Sequence, residues 1–71
     1  MIALRMVTSD QKLHWRHSYL CRIGPRYFVS RVTLEVASDG INIDYKDGVV
    51  FDPDLELYIP VLEVDEIAEI H

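Results

Sequence analysis

Cysteine is nearly absent from this chain: Cys21 is the only one in 71 residues. A single thiol cannot close an intramolecular disulfide and gives a metal at most one sulfur ligand, so neither brace of a small domain is expected. An unpaired cysteine also fits a reducing compartment, and a cytoplasmic location is the expectation. Apolar runs are short as well. Val49-Val50-Phe51 is typical, far below the roughly 18 residues that cross a bilayer as a helix, and no membrane partner is expected. Arg5 interrupts the opening MIALRMV, and no small-residue cleavage site follows it, which argues against a signal peptide. Glycine is scarce too. Gly24, Gly40 and Gly48 are all there is, Gly40 and Gly48 each following an aspartate, so no glycine-rich phosphate cradle is available. The chain has no P-loop, nucleophile elbow or H-E-x-x-H, and non-enzymatic function without a cofactor is the expectation.

Positive charge is missing from the second half. Residues 1–38 hold Arg5, Lys12, Arg16, Arg22, Arg26 and Arg31 against Asp10 and Glu35, whereas residues 39–71 hold Lys46 against ten carboxylates. The net charge is −5, with a pI near 4.9. Nucleic-acid affinity rests largely on neutralising phosphates, so this balance argues against a general nucleic-acid coat, though not against a local basic strip. It favours either attraction between the two halves within the fold or steering of a basic protein partner toward the acidic half.

What is present is a globular composition, 49% hydrophobic and 27% charged, sufficient for one domain over residues 1–71. A chain of this size buries only about 60% of the surface its unfolded form exposes, so a partner or a second copy would add materially to its stability.

The stretch KLHWRHSYLCRI alternates: Leu13, Trp15, His17, Tyr19, Cys21 and Ile23 interleave with Lys12, His14, Arg16, Ser18, Leu20 and Arg22. A strand turns successive side chains to opposite faces, so period two predicts one strand from Leu13 to Ile23, with an apolar face and a basic face. Gly24-Pro25 ends it. RYFVSRVTLEVA is rich in β-branched and aromatic residues and places Phe28, Val32, Leu34 and Val36 on one face. Asp39-Gly40 then predicts a hairpin in which Ser38 faces Ile41 and Leu34 faces Tyr45, a register that keeps the apolar pairs together. Asp47-Gly48 predicts a second such turn into Val49-Val50-Phe51, completing a meander. Across Asp52-Pro53-Asp54 a three-residue loop would set Val50 against Glu56, so a bulge or a crossing to another sheet is expected there. Leu55, Leu57 and Ile59 mark one face of a further strand. The tail VLEVDEIAEIH reads either as a helix or, preferably, as a short turn followed by a strand over Glu66 to Ile70; Ile2 to Val7 fits another strand. The sum is a mainly β domain of five to seven short strands and little helix. Its expected architecture is a small antiparallel barrel or strongly bent sheet of SH3-like type.

Three function classes follow. The first is a protein-interaction module, such as a small bacterial or phage accessory inhibitor or adaptor, able to self-associate and meeting a basic partner surface through Asp47, Asp52, Asp54 and Glu56. The second is single-stranded nucleic-acid binding through the basic strip Lys12, His14, Arg16, Arg22, Arg26 and Arg31. Its difficulty is that alternation sends Trp15 and Tyr19 to one face and the cations to the other, whereas stacking and phosphate contact need one accessible face. The third and weakest is a hard-cation site at Asp52 and Asp54, for which a turn already accounts. On a strand His14 and His17 point to opposite faces and cannot grip one metal ion, and His17 is expected as a core or sheet histidine. His17 and Cys21 share a face but lie about 13 Å apart at roughly 3.3 Å per residue, too far for a Cys-His dyad.

Overall fold

The computed structural model describes residues 3–33 and 41–71. Along them run β1 (Leu4–Met6), β2 (Lys12–His14), β3 (Ser18–Ile23), β4 (Arg26–Thr33) and β5 (Asn42–Asp44). A 3-10 turn at Tyr45–Asp47, β6 (Val49–Asp52), β7 (Leu57–Pro60), a second 3-10 turn at Val61–Glu63 and β8 (Glu66–Ile70) follow. The fold is mainly β, and every strand pair is antiparallel. Six strands form one sheet in the order β1-β8-β3-β4-β6-β7, and β2 pairs with β5 in a two-stranded ladder. Neither sheet closes into a barrel among the described residues, and the eight strands found there exceed the five to seven expected.

The extra strand comes from the stretch read as continuous. Lys12–Ile23 is two strands, broken where His17 N–H bonds to the His14 carbonyl at 3.1 Å and closes a turn. Leu13 and Tyr19 are both fully buried, Leu13 opposite Ile43 in the small ladder and Tyr19 in the large sheet. Tyr19 lies six positions after Leu13, an even number, so the turn preserves parity and leaves no trace in the alternation. Trp15 is therefore only half-buried and His17 exposed, correcting the inward positions expected for both.

Gly24-Pro25 is the two-residue loop of the β3–β4 hairpin, with Ile23 opposite Arg26. Gly24 supplies φ +58° at its first position, a conformation glycine adopts without steric cost. Asp47-Gly48 does not make the expected hairpin. Gly48 is extended (φ −73°, ψ 147°), β5 pairs with β2, and β6 pairs with β4 and β7, so the meander is not formed there. Glycine is needed at this point for space: a Cβ would meet Leu13 Cδ1 and Val61 Cγ2 at 2.9 Å. The Asp39-Gly40 hairpin, with its register from Leu34 to Gly40, lies outside the described residues.

The β6–β7 connection corrects a further expectation. Asp52 belongs to β6 and faces Leu57, which leaves a four-residue loop, so Val50 faces Ile59 without bulge or crossover. Asp52 Oδ1 accepts from the Asp54 and Leu55 N–H groups at 2.9 and 3.3 Å, and Glu56 takes φ 54°. The tail follows the turn-then-strand reading, with β8 inserted between β1 and β3. The core lies on the inner face of the six-stranded sheet, where Tyr19, Cys21, Phe28, Val50 and Ile67 meet Leu13 and Ile43 of the small ladder and Val61 and Val64 of the connection before β8. Each fully buried aliphatic or aromatic side chain there contributes about 1.5–3 kcal/mol relative to exposure.

Candidate interaction surface

Alternation that turns Tyr19, Cys21, Phe28, Val50 and Ile67 inward turns their neighbours outward. The register aligns these neighbours. Met6 faces Ala68, Ala68 faces Leu20 and Leu20 faces Val29, making one row; Leu4, Ile70, Ser18 and Arg31 make the next. Phe51 and Tyr58 pair on the same side, with ring centroids 5.0 Å apart. Leu4, Met6, Tyr27, Val29 and Tyr58 are each between 53% and 67% exposed. A depression of about 220 Å³ runs between Leu4, Met6, Leu20, Tyr27 and Ala68, with Arg22 and Glu66 at its edge. Several large apolar side chains on one sheet face, rimmed by charge, are the usual mark of an interaction site.

Charge is distributed along the strands. At the end holding the β3–β4 and β6–β7 loops and the start of β8 lie Asp54, Glu56, Asp65 and Glu66, all exposed. Arg22 there bonds the Gly24 carbonyl at 2.9 Å and pairs with Asp65 at 3.7 Å and Glu66 at 3.5 Å. The opposite end, where β3 starts and β8 finishes, carries Arg31, Arg16 and two histidines around one carboxylate.

That carboxylate is Glu69, buried on the inner face. Its Oε2 accepts from Arg5 Nη2 at 3.2 Å, His17 Nδ1 at 3.1 Å and the Tyr19 hydroxyl at 3.3 Å, while Oε1 lies 2.8 Å from His71 Nε2. Tyr19 Oη also accepts the His14 N–H at 2.8 Å. Burial pushes the Glu69 carboxyl up, but the bonds from His17 and Arg5 outweigh it and hold the group below its ordinary value. All three histidines of the chain gather here, because the turn stacks His14 on His17 with ring centroids 4.1 Å apart, instead of opposing them as a continuous strand would. A carboxylate bonded to imidazole Nδ1 is the orienting half of a general base. The one thiol is elsewhere: Cys21 is fully buried, and burial pushes it up to about 12. Among the described residues no group of three or more His, Cys, Asp or Glu is arranged to hold a metal ion. The cluster's evident effect is to tie β8 to β1 and to the turn before β3.

The residues singled out in the sequence are dispersed. Asp47 sits exposed in the 3-10 turn before β6, at the other end of that strand from Asp52. Asp52 is fully buried and paired with Arg26, whose bond outweighs the burial and lowers its carboxyl from the ordinary value. Asp54 reaches the same Arg26 at 3.5 Å, and Glu56 is exposed. Among the cations, Lys12 pairs with Asp44 at 3.7 Å, Arg22 and Arg26 are paired as above, and the Arg16 guanidinium lies 5.0 Å from the Trp15 ring centre. Arg31 is exposed and has no ion pair among the described residues. No described helix is long and apolar enough to cross a membrane.

No family model, curated protein or solved structure matches the chain. The sequence signal for the surface's apolar residues is the second apolar set inside the strands, Tyr27 and Val29 interleaved with Phe28, and Ala68 and Ile70 with Ile67, a signal that the charge partition does not carry.

Proposed function

We propose that this chain is a non-enzymatic protein-interaction module, of the kind that small accessory inhibitors and adaptors represent, and that it binds through the outer face of its six-stranded sheet. The observation that carries the reading is the exposure of Leu4, Met6, Tyr27, Val29 and Tyr58 on that one face. The fitting partner is a protein surface with an apolar centre and a basic rim, the rim meeting Asp54, Glu56, Asp65 and Glu66, and apolar-centred, polar-rimmed contacts are how protein interfaces are built. The unpaired, buried Cys21 supports a cytoplasmic setting. The architecture that goes with this reading is a small antiparallel barrel or strongly bent sheet of SH3-like type, drawn from the open six-stranded sheet and the two-stranded ladder around one core. Affinity capture with the whole chain and with Val29→Lys tests it: a partner retained by the first is lost by the second. Equal retention by Val29→Lys and Tyr27→Lys overturns the assignment of this face.

A second reading, single-stranded nucleic-acid binding, is favoured by one observation: Tyr27, Phe51 and Tyr58 share the outer face with Arg31, which removes the geometric objection raised by the sequence. Stacking and phosphate contact would then come from one side. Against it stand the net charge of −5 and the ion pairs that occupy Lys12, Arg22 and Arg26. Titration with single-stranded RNA and DNA across salt concentrations decides: this reading requires binding that falls steeply with salt and is lost in Tyr27→Ala.

A further inference from the structure

We infer that the occupant of the outer face is a second copy of this chain, related by a two-fold axis that lies in the interface and runs across the strands. The inference rests on the interaction reading above and names its partner. That reading calls for an apolar centre with a basic rim, and the chain's own surface offers both. Met6, Leu20, Ala68 and Val29 form the apolar row, and Arg31 stands one register step along β3 and β4, with Arg16 in the turn beyond.

Symmetry decides the orientation. Two identical faces can be stacked by a two-fold axis along the strands or across them. An axis along the strands keeps each end over its own kind, so Asp54, Glu56, Asp65 and Glu66 of one copy would lie over the same carboxylates of the other. An axis across the strands reverses strand direction and lays the acidic end of each copy over the Arg31 end of its partner, twice per dimer. Opposite charges then meet at both rims, and electrostatics of this kind fixes register. Within the face itself Arg22 and Glu66 already pair at 3.5 Å, so little net charge enters the middle of the contact. Arg31, by contrast, has no carboxylate partner among the described residues, and a partner copy stacked this way would bring it one.

Size points the same way. A stable interface takes about 800 Å² from each partner, roughly a sixth of the 4799 Å² this chain exposes, an area on the scale of one sheet face. Stacked sheets pack about 10 Å apart, and the product would be a sandwich whose second layer is the second copy.

Sedimentation equilibrium of the full chain tests this, run from about 1 to 300 μM in low and high salt. The expected result is a dimer in the wild type, a Kd raised on the order of 100-fold or more by Val29→Asp, which puts a carboxylate into the dry centre, and a Kd raised about ten-fold by Arg31→Glu, most visibly at low salt. Both positions are exposed, and the circular dichroism spectrum of each variant checks that it folds. A dimer indifferent to both substitutions overturns the inference, since contact would then be elsewhere, for instance edge to edge through β1. A monomer at every concentration also overturns it. In that case a hydrophobic dye separates the two levels: dye bound by the wild type and lost in Val29→Asp leaves the face an interaction surface with another occupant, whereas no dye binding removes the interaction reading as well.

Discussion

Replacing Gly48 by alanine separates two accounts of why a glycine stands there. If Asp47-Gly48 were a type I′ turn, the residue would need positive φ, alanine would be strained, and asparagine would be tolerated better than alanine. The backbone at Gly48 is extended instead, with φ −73° and ψ 147°, a conformation any residue adopts. Alanine would then gain about 0.4–1 kcal/mol by restricting the unfolded chain. Opposing this, its Cβ would approach Leu13 Cδ1 and Val61 Cγ2 to 2.9 Å and Val32 Cγ1 to 3.4 Å. Leu13 and Val61 are fully buried and cannot swing into solvent, so the overpacking costs about 1–3 kcal/mol and wins. The net loss of roughly 1–2 kcal/mol lowers Tm by about 5–15 °C in a domain of this size. Asparagine, which is larger, should be worse than alanine. Urea and thermal unfolding followed by circular dichroism at one fixed protein concentration measure both variants, and Val61→Ala should suppress part of the Gly48→Ala loss because the two side chains compete for one space. A Gly48→Ala variant as stable as the wild type, or an asparagine variant better than alanine, refutes the packing account.

Two further outcomes follow from the buried ionisable groups. Cys21, pushed up to about 12 by burial, should be alkylated at pH 8 only as fast as the chain unfolds and rapidly in urea; fast labelling of the native chain contradicts its burial. Because its folded value is raised, the stability associated with the thiol is complete below the ordinary thiol range and is lost as pH climbs toward 12. Glu69 and Asp52 behave with the opposite sign: their folded values are lowered, so their contribution is present above the ordinary carboxylate range and is lost as pH falls through the folded values. Urea midpoints measured from pH 7 downward should therefore drop more steeply in the wild type than in Glu69→Gln, and equal slopes would show that the Arg5 and His17 bonds do not hold the carboxylate ionised.

How far the sequence reveals this fold depends on what alternation records. It records parity, and parity correctly assigns β3 and β4, each of which puts predicted apolar residues inside: Tyr19 and Cys21, Phe28 and Val32. It is blind to breaks that conserve parity, which is why the turn between Leu13 and Tyr19 disappears into an unbroken pattern. With that turn hidden, the stacking of His14 on His17 and the convergence of three histidines on Glu69 could not be seen, since both depend on a fold-back and on pairing between residues fifty or more apart. Charge misled for a related reason. Asp52 reads as a surface carboxylate in an acidic loop, yet its place in β6 faces the core and Arg26 reaches across from β4 to neutralise it. Alternation also identifies two faces without saying which one is covered. In β4 both are apolar, Phe28 and Val32 on one and Tyr27 and Val29 on the other, and the small ladder with the Val61–Val64 connection can cover only one of them. Among the described residues a sheet with two apolar faces and one internal cover leaves an apolar face exposed, and the proposed interaction module rests on that surplus rather than on the acidic loop.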